Sequence, residues 1–183
     1  MKVLGIVGSP RRGGNTEILV DEVLRGAAEA GAQTDKVILS ELDIAPCTAC
    51  DACLDSGECI LQDDMAALLE QMQGSEVWVL GTPVYWWGPT AQFKAFLDRW
   101  YGADKAVQFA GRRSVVVIPL GDSDESTARH TVGMLTDAIT YTEMRLVATI
   151  VATGVMDPGD VRGSPGVLAT ARRAGRDAVA AKI

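Results

Sequence analysis

Short continuous apolar runs alternate along this chain with segments whose apolar positions recur every three or four residues. Val3–Val7, Val37–Leu39, Val77–Leu80, Val115–Leu120 and Met144–Ala152 read as strands. A helix is predicted over Thr16–Ala30, where Leu19, Val20, Val23, Ala27 and Ala30 share a face and Gly31 stands ready to end it. Asp63 and Asp64 place acid at the start of a second helix, whose face is Met65, Leu68, Leu69 and Met72 and which stops near Gly74. Phe93, Phe96, Leu97 and Trp100 form a third helical stripe, and further helices are predicted from about Ser126 to Tyr141 and from roughly Gly166 to Ala181. Strands that alternate with helices in this way require a parallel sheet covered on both faces, because right-handed crossovers pack back onto it. The expected fold is therefore a doubly wound α/β three-layer sandwich. Its five-stranded sheet is expected in the order 2-1-3-4-5, with ligands bound beyond the carboxyl ends of the strands.

The 183 residues suit one domain, 1–183, large enough to bury a core without disulfide support. Twenty-four acidic against 17 basic residues leave a net charge of -7, which repels a phosphate backbone and argues against nucleic acid as a partner. No stretch approaches the roughly 20 apolar residues of a membrane span, and Ser9-Pro10-Arg11-Arg12 cuts the first apolar run too short for a secretory signal. The expectation is a cytoplasmic protein with no membrane partner.

The segment Gly8-Ser9-Pro10-Arg11-Arg12-Gly13-Gly14-Asn15-Thr16 joins the first strand to the first helix. Backbone N–H groups and the positive end of the helix dipole face any anion held there. Ser9, Asn15 and Thr16 offer hydrogen bonds, Gly13 and Gly14 let the backbone come close, and Arg11 supplies a charged contact. Arg12 reads as solvated. The loop has neither the Gly-Lys-Ser/Thr ending of a nucleotide triphosphate loop nor the G-x-G-x-x-G spacing of a dinucleotide fold, so a phosphomonoester suits it better. Taken alone, such a loop is more often a plain turn with a cap at Asn15; the strand before it and the helix after it favour an anion site.

After the third strand comes Thr82-Pro83-Val84-Tyr85-Trp86-Trp87-Gly88-Pro89-Thr90, rich in aromatic rings and at the same sheet edge. It can hold a flat ring, with backbone N–H groups along one edge and Tyr85, Trp86 or Trp87 over apolar surface; either tryptophan can instead pack in an interface or the core. Taken together, Gly8-Ser9-Pro10-Arg11, Gly14-Asn15-Thr16, Pro83-Val84-Tyr85-Trp86 and Lys94-Ala95-Phe96-Leu97-Asp98-Arg99 resemble the NADPH-dependent FMN reductase family, whose fold is flavodoxin-like. The resemblance implies non-covalent FMN, its phosphate on Ser9, Arg11, Gly14, Asn15 and Thr16 and its ring against Pro83, Val84, Tyr85, Trp86, Trp87 and Gly88, with Gly121 at the other ring edge. It also implies NAD(P)H as electron donor, a quinone, a flavin or another small molecule as acceptor, and a homodimer or homotetramer.

All four cysteines lie in one irregular stretch, as Cys47-x2-Cys50-x2-Cys53-x5-Cys59. A secreted disulfide framework would spread them along the chain, so this is a local site. The motif resembles that of iron-sulfur flavoproteins in the same superfamily, which implies a [4Fe-4S] cluster on the four thiolates and, as the alternative function, an electron carrier serving a protein partner. Zinc, a disulfide or free thiols use the same residues. His130 reads as a solvated or satisfied side chain and Asp98–Arg99 as an ion pair or helix end, and no acid–base pair is needed where a cofactor carries the chemistry.

Overall fold

A computed structural model of the chain describes residues 1–103 and 107–181. Its strands are β1 (Lys2–Val7), β2 (Gln33–Ile38), β3 (Val77–Gly81), β4 (Arg113–Pro119) and β5 (Arg145–Ala152). The helices are α1 (Asn15–Glu29), α2 (Ala52–Ser56), α3 (Met65–Gln73), α4 (Ala91–Asp98), α5 (Arg129–Tyr141) and α6 (Pro165–Ala180). All strand pairs are parallel and the order is β2-β1-β3-β4-β5, as expected.

Alternation along each strand divides the core in two. Val3, Val7, Val77, Val79, Val115 and Val117 point to the layer of α1 and α6. Leu4, Ile6, Trp78, Leu80, Val116 and Ile118 point to the layer of α3, α4 and α5. The three central strands are thus buried on both faces, which is why they read as unbroken apolar runs.

The edge strand β2 departs from expectation. It begins at Gln33, four residues before the predicted Val37, and pairs with β1 from Lys2↔Gln33 to Val7↔Ile38. Its first residues are mostly exposed and polar because they lie on a sheet edge, where charge also discourages pairing with another chain. Lys36 there bonds Glu17 and Asp21 of α1 at 2.8 and 2.7 Å. The cysteine stretch was expected to be irregular throughout, yet it contains the short α2.

The α1 and α6 helices cross with their backbones almost touching. A Cβ on Gly26 would fall 1.9 Å from the Arg172 carbonyl oxygen, and one on Gly175 would fall 1.9 Å from that of Val23. Gly26→Ala and Gly175→Ala are each expected to destabilise the fold by about 3 kcal/mol, since neither backbone can retreat without lifting off the sheet. Gly133→Ala, on α5 with nothing within 4 Å of the added methyl, is expected to stabilise by about 0.5 to 1 kcal/mol. Urea denaturation midpoints distinguish the two outcomes.

Candidate functional site

Because β1, β3, β4 and β5 all end on one edge, the loops that follow them meet there. They enclose a cavity of about 410 Å³ lined by Ser9, Arg11, Asn15, Thr16, Pro83, Val84, Tyr85, Trp86, Pro119, Leu120, Gly121, Asp122, Val155 and Met156. That volume lies in the range of small-ligand and cofactor sites. A larger cavity, about 820 Å³, lies between the ends of α4 and α5 and shares none of these residues. Of the cofactor contacts expected from the sequence, Gly13, Gly14, Trp87 and Gly88 are outside the cavity wall.

One end of the cavity is built by the turn into α1. Gly14 is the N-cap, its N–H donating to the Arg11 carbonyl at 3.1 Å and its carbonyl accepting from Ile18 at 3.0 Å. The N–H groups of Asn15, Thr16 and Glu17 are left in the first turn with no acceptor within the helix. Ser9 Oγ accepts from the Arg11 N–H at 3.2 Å, while the Thr16 hydroxyl has no hydrogen-bond partner among the described residues. Arg11 Nη1 reaches across the cavity to the Met156 carbonyl at 3.0 Å. Glu17 faces the other way. Burial alone would push its carboxyl up, but Lys36, the Gly13 N–H at 2.7 Å and Arg12 outweigh that and hold it below the usual range. Arg12 is solvated, as expected, and pairs at the surface with Glu41 at 2.6 Å.

Asn15 differs from its expected role. Its amide nitrogen donates to the carbonyls of Val155 and Asp157 at 3.1 and 2.9 Å, and its oxygen accepts from the N–H groups of Gly159 and Val161 at 3.0 and 3.1 Å. That exhausts the side chain's two donors and two lone pairs. Asn15 therefore fastens the loop after β5 to the start of α1, and only its backbone N–H is left for an anion.

The other end rests on two threonines that carry no signal in the sequence. Thr82 Oγ1 accepts from the Thr90 N–H at 3.1 Å, closing the loop between them. Thr90 Oγ1 accepts from the Phe93 N–H at 3.2 Å, capping α4, and donates to the Gly8 carbonyl in the loop after β1. Between the threonines the chain forms a two-residue hairpin, with Tyr85 and Gly88 exchanging hydrogen bonds of 2.8 and 3.0 Å. Its central residues, Trp86 (φ 50°) and Trp87 (φ 62°), are both left-handed. Such turns favour Asn-Gly, so each tryptophan carries strain on the order of 1 kcal/mol or more. The Thr131 hydroxyl donates to the Trp87 carbonyl at 3.0 Å and helps hold the turn, and Trp86 stands 91% exposed beside the cavity.

The four cysteines line a third cavity, of only about 20 Å³, together with Arg99, Tyr101 and Gly102. All four thiols are free, and among the described residues no three His, Cys, Asp or Glu side chains converge as a metal-coordinating group. The Ala52 N–H and the Thr48 hydroxyl hold the Cys50 thiol below its ordinary value. Asp98 pairs with Lys94 across one helical turn, at 2.5 Å, and Arg99 pairs with Asp63 at the same distance, so Asp98–Arg99 is not itself an ion pair. Burial works against the Asp63 carboxylate, but the guanidinium and the N–H groups of Ala45 and Met65 hold its pKa below the usual range.

Fold and site define a flavodoxin-like protein in which a helix N-terminus and an aromatic loop meet at one sheet edge. Residues 1–155 match the NADPH-dependent FMN reductase family, and the chain belongs to that family. An iron-sulfur flavoprotein of Methanocaldococcus jannaschii is 42% identical over 99 residues, 54% of this chain and 51% of that protein. One from Methanosarcina thermophila is also 42% identical over 99 residues, 54% of this chain and 52% of that protein. The chain thus spans about half the length of the curated relatives it matches. An NAD(P)H:quinone oxidoreductase from Methanothermobacter marburgensis superposes with a TM-score of 0.73 at 23% identity, over 96% of this chain and 94% of that one, which shows a shared fold.

Two outcomes follow from this geometry. Asn15→Ala strands buried polar groups of the loop after β5 and is expected to lower stability by about 3 kcal/mol in chemical denaturation. Asp63 has a lowered native pKa, so the fold is more stable with it ionised than protonated; that difference is fully present above the ordinary carboxyl value of about 4 and is lost as pH falls through the native value. Between about pH 4 and pH 2, Asp63→Asn is expected to lose stability less steeply than the parent in urea midpoints taken across the range.

Proposed function

We propose that this chain binds FMN in the 410 Å³ cavity and acts as an NAD(P)H-dependent oxidoreductase on a quinone, a free flavin or a similar small acceptor. One observation carries the reading: the unpaired N–H groups of the first turn of α1, with Arg11, open into the same cavity as the aromatic loop after β3. A phosphomonoester and a flat ring joined by a short chain match that pairing. Bound flavin would supply two-electron chemistry, and the protein's task is to hold and shield it. Ser9, Thr16 and the N–H groups of Asn15 and Thr16 anchor the phosphate, with Arg11 adding charge. Pro83, Val84 and Tyr85 support one part of the ring and Gly121 another, while Trp86 limits water at the mouth. The exposed apolar rim of Trp86, Trp87 and Met156 supports a homodimer or homotetramer in which a second copy covers it.

A second cofactor is favoured by the cysteine cavity. Four thiolates are the donor set of a [4Fe-4S] cluster, and all four line one cavity here, although they stand apart and the loop must tighten to bring them to metal. Relatives that match about half of the chain are named iron-sulfur flavoproteins, which supports the same reading.

Anaerobic purification with a spectrum, iron and sulfide analysis, and flavin titration tests both parts. FMN is expected to bind at least about tenfold more tightly than riboflavin, because the phosphate contributes charge-assisted hydrogen bonds of about 1.5 to 3 kcal/mol. Thr16→Val should erode that preference; equal affinity for the two flavins sinks the cradle. About four iron and four sulfide per chain are expected, and flavin without iron removes the cluster.

A further inference from the structure

The stretch carrying the four cysteines is gathered at its neck by one side chain. Arg99, the first residue after α4, has a side chain 3% exposed, and that of its partner Asp63 is 5% exposed. Arg99 Nη1 donates to the Ala45 carbonyl at 2.9 Å and to Asp63 Oδ2 at 2.5 Å, and Nη2 donates to Asp63 Oδ1 at 3.2 Å. Asp63 in turn accepts from the Ala45 N–H at 3.0 Å. Ala45 precedes Cys47 and Asp63 follows Cys59, so every cysteine lies in a loop whose two ends meet on a single guanidinium. The same turn of chain walls the cavity, for a Cβ on Gly102 would stand only 3.0 Å from Cys53 Sγ. Arg99 itself lines the cavity, and among the described residues it is the sole cation to do so.

A bidentate, desolvated Arg–Asp pair is a poor means of gaining stability, since burying both charges costs about as much as their attraction returns. Its worth here is geometric and electrostatic. Adding an electron to an iron-sulfur cluster makes a negatively charged group more negative, so a nearby cation favours the reduced form and a nearby carboxylate opposes it. With both partners present the two effects offset each other; with one removed, the other acts alone in a weakly screened environment.

We propose that Arg99 and Asp63 are positioning residues for the cysteine site, closing the loop around an iron-sulfur cluster and setting its reduction potential by their opposed charges. This rests on the cluster reading above. The test uses anaerobically purified protein of the parent chain and of Arg99→Gln, Asp63→Asn and Arg99→Lys. It measures iron per chain, midpoint potential by mediated titration followed by electron paramagnetic resonance, and the rate of iron loss to a chelator; FMN affinity at the separate cavity reports on folding. Arg99→Gln is expected to move the potential negative and Asp63→Asn to move it positive. A merely structural role has no reason to produce opposite signs. Arg99→Lys keeps the charge but not the two-pronged grip, and should hold the parent potential while losing iron several-fold faster.

Unchanged potentials, or shifts of the same sign, in iron-loaded Arg99→Gln and Asp63→Asn overturn the proposal and leave the cluster reading standing. A parent protein without iron overturns both. Should Arg99→Gln and Asp63→Asn retain no iron, the chelator experiment on Arg99→Lys decides: faster loss with intact FMN binding supports the proposal, and parent-like loss refutes it.

Discussion

Every strand of this sheet runs in the same direction, and that shared polarity places all the carboxyl ends, with the loops leaving them, along one edge. Residues far apart in sequence, from Ser9 to Met156, therefore border one cavity. The same polarity turns the N-terminus of α1 toward that edge, so its unpaired N–H groups and positive dipole end point at whatever occupies the cavity. The close crossing of α1 and α6 at Gly26 and Gly175 fixes the helix on the sheet. Asn15 then ties its first turn to the loop entering α6, so the first and last strand-to-helix loops are held together at the cavity.

Buried charge in this protein is spent on backbone carbonyls as well as on carboxylates. Arg113, at the start of β4, donates from Nη1 to the carbonyls of Ala178 and Ala181 at 2.8 and 2.7 Å, filling acceptors that the end of α6 leaves unmet. Burial lowers its pKa, and the negative end of the helix dipole offers a favourable place for the charge. Arg99 also serves a carbonyl, that of Ala45, but has a carboxylate partner. Burial disfavours its charge, yet Asp63 outweighs burial and raises its pKa. One arginine closes a helix; the other closes a loop.

Much of the site was legible because its chemistry is local. A Gly-rich turn between a strand and a helix announces N–H groups aimed at an anion, and a dense aromatic loop after the third strand announces a ring surface. What escaped were contacts between loops. Thr82 and Thr90 are unremarkable in a string of residues, and their value lies in tying one loop shut and bonding it to Gly8. Val155 and Met156 form a wall of the cavity only because β5 ends beside β4. The left-handed pair at Trp86 and Trp87 runs against residue preference and is sustained by the hairpin bonds and Thr131 around it.

Periodicity by itself determined the layer architecture, since apolar runs and three-to-four spacings follow from which atoms must leave water. The cysteine spacing likewise determined that those thiols form one local site. Only the folded chain decided how side chains divide their bonds. Asn15 reads as a phosphate ligand in the sequence and is a fastener in the structure; Arg99 reads as a helix end and is the clasp of the cysteine loop. A side chain's hydrogen bonds are finite and go to the nearest matching groups, and nearness between distant segments exists only after the sheet has brought them together.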